Sequence, residues 1–269
     1  MRVEVVTLFP ELIEQATSHS ILSRAQTGGF LELSCVNPRD FTHDRHRTVD
    51  DCPFGGGAGM VMKPEPLVAA IEAATGGDTR IPVLLTAPDG EPFTQALAQE
   101  LASLPHFVVV CGHYEGIDER VRDGWITREI SLGDYVLTGG ELAALVMLDA
   151  SVRLLPGVLG NESSAHEESF EGGVLEYPHY TRPAVFRERG IPEVLTSGLH
   201  ANVAKWRRTQ ALARTRVRRP DLWEKLLPLG KADQKLLAVF DAQSAQDEAT
   251  ASARAEQSVR VDEPVSSPE

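Results

Sequence analysis

Gly112-His113-Tyr114-Glu115-Gly116-Ile117-Asp118-Glu119-Arg120 and Ser131-Leu132-Gly133-Asp134-Tyr135-Val136-Leu137-Thr138-Gly139-Gly140-Glu141 decide how this chain is read. They are two glycine-framed polar segments joined by a short stretch, Val121 to Ile130. The first follows Phe107 to Cys111, a continuous apolar run that reads as a fully buried strand. A buried strand ending abruptly in Gly, His, Tyr and Glu places polar groups at the carboxyl edge of a sheet, where open α/β folds bind ligands. The glycines let a ligand approach bare backbone, with an aromatic ring and a carboxylate close by. Taken singly, each segment reads equally well as an ordinary loop turn; together they point to a small-molecule site.

Outward from these segments, strand-length apolar runs alternate with helical periodicity. Val3 to Leu8, Leu31 to Val36, Ile81 to Thr86 and Phe107 to Cys111 are strand candidates. Lys63 to Thr75, Pro92 to Leu104 and Gly140 to Leu148 carry helical spacing. This β–α alternation predicts a mostly parallel sheet covered by helices on both faces. Ile81 to Thr86 runs into Ala87-Pro88-Asp89-Gly90, so three strand ends could converge on one pocket. Asp50-Asp51-Cys52-Pro53-Phe54-Gly55-Gly56-Gly57-Ala58-Gly59-Met60 is glycine-rich but lacks the ending of a phosphate-binding P-loop. It reads either as a flexible turn or as a loop whose backbone packs against a planar ligand or an RNA base, with Asp50 as acceptor.

The pattern changes after Leu159. Asn161 to Gly173 is polar and acidic and reads as a linker or an active-site lid. Leu175 to Pro183 is too proline-rich for a regular element. His200 to Val217 is a helix with Val203, Trp206, Leu212 and Ala213 as inward candidates; Asp221 to Leu226 and Ala232 to Phe240 follow as shorter ones. From Ala242 the composition predicts disorder. The domains are therefore expected at 1–160, 175–241 for a helical unit, with a lid at 161–174 and an acidic tail at 242–269.

At 269 residues the chain accommodates one large or two modest domains. No run is long enough to span a membrane and the start lacks a signal-peptide pattern, so the expected compartment is the cytoplasm. Three cysteines without metal-ligand spacing predict buried free thiols at Cys35 and Cys111. The formal net charge of −13 argues against a general nucleic-acid binder, but it hides an asymmetry. Lys205 to Arg219 holds seven Lys or Arg and no acid, whereas Glu162 to Glu176 holds five Glu and no Lys or Arg. Such a helix reads either as a solvated face or as one whose unopposed cations take counterions, phosphate first among them. In the acidic stretch a solvated linker competes with a catalytic lid. Arg153, just upstream, would pair with a lid carboxylate for acid–base work on a polar substrate.

DDCPFGGGAGM (50–60), CGHYEGIDER (111–120), SLGDYVLTGGE (131–141), LLPGVLGNESSAHEESF (154–170), YPHYTRP (177–183), SGLH (197–200) and WRRTQALARTRVRRPDL (206–222) resemble, in order and spacing, the bacterial tRNA (guanine-N1)-methyltransferase family, TrmD. The resemblance runs from Met1 to about Phe240. It implies a SPOUT-type α/β fold with a deep trefoil knot plus a small, mostly helical C-terminal domain. It also implies S-adenosylmethionine as methyl donor, with magnesium assisting. The substrate would be guanosine 37 in the anticodon stem-loop of tRNAs with G36. The enzyme would be a homodimer whose active site lies at the interface.

By position, the resemblance assigns donor binding to Thr86, Ala87 and Pro88, to Gly112, Tyr114, Glu115 and Gly116, and to Ser131, Leu132, Gly133, Asp134, Tyr135, Val136, Leu137, Gly139 and Gly140. RNA contacts fall on Asp50, Gly59, Arg182, Lys205, Arg207, Arg208 and Arg214. Catalysis falls on Glu168 and Arg153, and a metal, if protein-bound, on Glu115 or Glu168. Two departures stand out. Glu168 occupies a place where the family usually has Asp, with Glu167 a competitor, and Thr-Ala-Pro-Asp-Gly replaces a more usual Ser-Pro-Gln-Gly. A different knotted methyltransferase activity and a non-catalytic RNA-binding module are the competing readings.

Overall fold

The computed structural model describes residues 1–160 and 168–261. Glu162 and Glu167 of the expected lid, and residues 262–269 of the expected tail, lie outside them. The chain divides into two compact units, Met1–Ala165 and His166–Glu269.

The first unit is built on a five-stranded sheet. Its strands are β1 (Arg2–Val6), β2 (Glu32–Val36), β5 (Val83–Pro92), β6 (His106–Cys111) and β7 (Arg128–Ser131), in the order β2-β1-β6-β5-β7 with every pairing parallel. Parallel strands need crossover connections, and helices supply them. α1 (Pro10–Thr17), α2 (Ser20–Thr27), α4 (Gln95–Ser103) and α6 (Glu141–Val152) cover one face; α3 (Pro64–Thr75) and α5 (Glu119–Trp125) cover the other. The alternation of β6 shows this directly. Phe107, Val109 and Cys111 join the cluster containing Ile13, Leu101 and Met147, while Val108 and Val110 join the one containing Leu67, Ile71 and Val121. A short antiparallel ribbon, β3 (Asp50–Asp51) with β4 (Val61–Met62), carries the glycine-rich stretch between its strands.

The periodicity located the sheet but missed several elements. α1 and α2 are short, and the first strand gives way before Pro10, which begins α1. The stretch between the two glycine-framed segments is not a simple joint: it folds as α5 and β7, which puts each segment at the end of its own strand. β5 continues beyond Thr86 to Pro92, and α4 starts only at Gln95, capped by the Thr94 hydroxyl, which accepts from the Leu97 N–H.

Glu4 is a buried carboxylate in the middle of β1, 2% exposed. The Arg2 guanidinium donates to its Oε1 at 2.5 Å and His106 Nε2 meets its Oε2 across the β1–β6 pairing. A buried charge is tolerated when paired in this way; removing one partner of such a group typically costs about 3–5 kcal/mol.

The second unit contains a β8 (Val185–Phe186) and β9 (Arg189–Gly190) ribbon, then α7 (His200–Arg218), α8 (Pro220–Leu226) and α9 (Lys231–Val261). Val174, Ala211, Leu212, Ala213 and Leu237 form its core, with Trp223, Leu226 and Phe240 against it. Of the expected inward residues, Leu212 and Ala213 are buried, whereas Val203 and Trp206 are half-exposed. α9 runs well past Ala242, where composition had set the start of disorder. Ala, Gln and Glu are poor in core-forming apolar surface but are good helix formers, so the same composition permits a continued helix.

Candidate active site

β6, β5 and β7 are neighbours, so their carboxyl ends lie side by side. The residues that follow them enclose one cavity of about 390 Å³. Leu85 to Asp89 line it from β5, Gly112 to Ile117 from β6, and Ile130 to Gly133 with Tyr135 to Gly140 from β7; Arg122 and Ala143 complete the wall. Every residue assigned by resemblance to the donor lines this cavity except Asp134, which is exposed. Asp89, His113, Ile117, Arg122 and Thr138 join the lining without having been singled out for it.

The two glycine-framed segments touch each other. The Gly140 N–H donates to the Gly112 carbonyl at 2.8 Å, and His113 and Gly139 form an isolated antiparallel bridge. Glycine is required at 140 for space: a Cβ there would overlap Thr86 Oγ1 and come within 2.8 Å of Cys111 Cα and 3.0 Å of the Gly112 nitrogen. The glycine-rich ribbon is fastened to the first segment, with the Glu115 N–H donating to the Met60 carbonyl at 2.9 Å and the Met62 N–H to the Gly116 carbonyl at 2.9 Å. Tyr114 holds a left-handed backbone (φ 60), an unfavourable state for a non-glycine residue and one that clusters at functional sites. Its hydroxyl accepts from Arg39 at 3.5 Å.

Under this wall sits Glu141, the first residue of α6, only 5% exposed. The Thr7 hydroxyl, at the end of β1, donates to its Oε1 at 2.7 Å, and the helix N-terminus favours its negative charge. His113 Nδ1 is buried and has no hydrogen-bond partner among the described residues. The Thr7–Glu141 contact was not legible in the sequence, because the two residues are 134 positions apart. Cys111, beside Glu141, is fully buried and its thiol is pushed well up by burial, as expected of an inert thiol. Cys35 is half-buried, and burial with the nearby Glu14 and Glu11 pushes its thiol up to about 11.

Arg153 caps the carboxyl end of α6 in the first unit, whereas Glu168 belongs to the second. Within that unit Glu168 lines a cavity of about 500 Å³ with Glu176, Tyr177, His200, Arg207 and Arg208. The segment carrying it is tied down locally: the Glu176 N–H donates to Ser169 Oγ at 3.0 Å, and the Leu175 N–H to Thr215 Oγ1 on α7 at 2.8 Å. The Arg207 guanidinium lies over the Tyr177 ring at 4.7 Å.

The basic helix is not unopposed. Arg208 pairs with Asp233 at 2.7 Å, Arg216 with Asp241 at 2.6 Å and Arg219 with Asp221 at 2.6 Å. The partners lie on α8 and α9, beyond residues 205–219, so at least three of the seven cations are satisfied within the unit. The neighbouring arginines hold the carboxyls of Asp233 and Asp241 below the usual range and that of Asp221 at about 2. Lys205 and Arg218 are exposed, and Arg214 Nε is buried with no hydrogen-bond partner among the described residues. Arg182 is exposed, Gly59 has a left-handed backbone (φ 80) and Asp50 lies in β3.

Among the described residues no three His, Cys, Asp or Glu side chains gather as a metal site. No helix among them is long and apolar enough to cross a membrane.

With this geometry in place, comparison with known proteins is direct. Residues 1–225 match the family described as tRNA (Guanine-1)-methyltransferase TrmD. Proteins named tRNA (guanine-N(1)-)-methyltransferase are similar along nearly their whole length. One from Chloroflexus aurantiacus is 56% identical over 243 residues, 88% of this chain and 95% of its own. One from Brevibacillus brevis is 54% identical over 241 residues, 90% of this chain and 98% of its own. One from Dehalococcoides mccartyi (strain BAV1) is 53% identical over 238 residues, 88% and 96%. The matched stretch contains both glycine-framed segments, all three strand ends of the cavity, Arg153, Glu168 and α7, and so the chain belongs to the tRNA (guanine-1)-methyltransferase TrmD family.

Proposed function

We propose that this protein methylates N1 of guanosine 37 in tRNAs with G36, using the cavity at the ends of β5, β6 and β7 for S-adenosylmethionine. The observation that carries this reading is the convergence of three glycine-containing strand ends on one cavity, within a chain of this family. The lining suits the donor. Gly112, Gly116, Gly133 and Gly139 line the cavity without a Cβ, so an adenine edge can approach the backbone there closely. Leu132, Val136 and Leu137 supply apolar surface, Val136 being 87% exposed and Leu137 38%. Glu115 adds a carboxylate for a cationic group. The bound donor supplies an electrophilic methyl group.

The protein's own side chains then act on the guanine. Glu168 takes the N1 proton, and Arg153 stabilises the negative charge that develops on O6, as a preorganised cation does in an oxyanion site. The base must leave the anticodon-loop stack, which costs about a few kcal/mol. Lys205, Arg207, Arg214 and Arg218 on α7, with Arg182, hold phosphates, while Arg208 mainly fixes α7 to α9 through Asp233. Asp50 and Gly59 read the neighbouring G36. Among the described residues no three His, Cys, Asp or Glu side chains gather as a metal site, so a magnesium ion at Glu115 would rest on that carboxylate, water and RNA phosphate.

A deep trefoil knot of SPOUT type is consistent with the passage of residues 133–140 against Gly112 and His113. A homodimer with the site at its interface accounts for the exposed Leu142 and Val146 on α6 and Leu12 on α1. Such an enzyme works in the cytoplasm. Titration calorimetry of the full chain with S-adenosylmethionine tests the donor assignment: saturable binding is expected without tRNA, and the absence of binding rejects it.

A further inference from the structure

The pairing of β5 with β7 breaks in the middle of β5. Thr86 and Glu91 both pair with Ile130, so residues 87–90 loop out between them. This excursion forms one wall of the cavity, through Thr86, Ala87, Pro88 and Asp89. It is pressed onto β7 at Gly90, where a Cβ would lie 2.5 Å from both the Glu129 carbonyl carbon and the Ile130 nitrogen. Only glycine allows that approach. Backbone contact alone does not fix a four-residue loop, and two arginines hold its second half. Just past it Arg128 donates to Glu91 at 2.5 Å and to Glu100 on α4 at 2.5 Å. Within it Arg122 on α5 donates to Asp89 Oδ2 at 2.7 Å.

Arg122 is the more informative of the two. It also pairs with Glu129 on β7, Nε to Oε1 at 3.1 Å, and stands 3.6 Å from Glu119. Its side chain is 21% exposed. One guanidinium thus joins α5, which follows the first glycine-framed segment, to β7, which leads into the second, and to the β5 excursion. Three carboxylates surround this single cation, so its charge is already compensated within the wall. A ligand carboxylate entering the cavity would find no free cation there. The planar fork of arginine can serve two carboxylates in one geometry, whereas the point charge of lysine cannot. The Arg122 guanidinium holds the Asp89 carboxyl below the usual carboxylate range, so the pair persists through neutral pH.

We propose that Asp89 and Arg122 are positioning residues: their ion pair fastens the 87–90 excursion and thereby sets the shape of the donor cavity, without Asp89 touching the donor. This inference rests on the reading of that cavity as the S-adenosylmethionine site. The pair acts on binding and leaves proton removal by Glu168 untouched.

The test is a double-mutant cycle of Asp89→Asn, Arg122→Gln and the two together, with Asp89→Glu and Arg122→Lys as conservative variants. Each is measured by calorimetry with S-adenosylmethionine, by steady-state kinetics with tRNA and by thermal unfolding. Asp89→Asn is expected to weaken donor binding about five-fold, a modest effect because the Asp89 side chain is 61% exposed. kcat at saturating donor stays within about two-fold. The double variant is expected to be no weaker than Arg122→Gln alone, because Asp89 has nothing left to act through. Asp89→Glu restores binding, whereas Arg122→Lys does so only in part.

If the two single effects multiply in the double variant, Asp89 contacts the donor directly and the proposal is overturned. Unchanged donor affinity in Asp89→Asn overturns it too, as does a loss of donor affinity matched by an equal loss of thermal stability. A wild-type chain that binds no donor is a different result, which rejects the site itself rather than the role of this pair.

Discussion

Replacing Glu168 by Gln is expected to lower methyl transfer by about 10²–10⁴-fold, the usual range for a lost general base, while donor affinity stays within about two-fold. The second half of this expectation comes from the structure. The residues proposed to hold the donor belong to the first unit and Glu168 to the second. A neutral amide at 168 removes the proton acceptor and leaves each of those donor-binding side chains as it is. Arg153→Ala should show the same asymmetry, losing turnover by about 10²–10³-fold through the missing charge at O6. Single-turnover kinetics at saturating donor and tRNA check both. Full activity in Glu168→Gln with loss in Glu167→Gln would transfer the role to Glu167. Glu168→Asp should keep part of the activity, since the carboxylate is retained one methylene shorter.

Replacing Gly140 by Ala is expected to weaken donor binding roughly a hundred-fold and to destabilise the first unit by about 2–3 kcal/mol. Gly140 has an ordinary helical backbone (φ −80), so the effect is not one of strain. It arises because the new methyl group meets Thr86 Oγ1 and the backbone of Cys111 and Gly112. Thr86 could move only by giving up its bond to the Val110 carbonyl, at 3.2 Å. The alternative is separation of the two glycine-framed segments, which opens the cavity between them. Gly124→Ala is the matched control. Gly124 lies on α5 with nothing within 4 Å of its Cβ position, and alanine there should leave donor binding unchanged and raise stability slightly. Calorimetry and thermal unfolding of both variants check the contrast.

Four of the five strands and the ligand edge were legible in the sequence as apolar runs, with a polar glycine turn at the edge, as at Phe107 to Gly112; β7, Arg-Glu-Ile-Ser, is too polar to read as one. Convergence of three strand ends was also legible in outline, though their adjacency is a matter of strand order, which periodicity does not carry. The contacts that close the site were not legible. Thr7 meets Glu141, Arg122 meets Asp89, and His113 bridges Gly139, all between residues far apart in the chain. α1 and α2 escaped because two-turn helices give too short a period to read. α7 shows the opposite error. Counting its charges inside one window left them unopposed, while their partners Asp233 and Asp241 lie a helix away. Local charge runs predict a ligand only after the fold has been asked what it already pairs.

One measurement tests the central claim most directly: methyl transfer from S-adenosylmethionine by the full chain to a guanosine-37 tRNA and to its adenosine-37 variant, with mass mapping of the product. The account predicts a single methyl group on N1 of guanosine 37 and no product with adenosine 37. A methyl group on a ribose, on another base, or in equal amount on the adenosine-37 tRNA would contradict it.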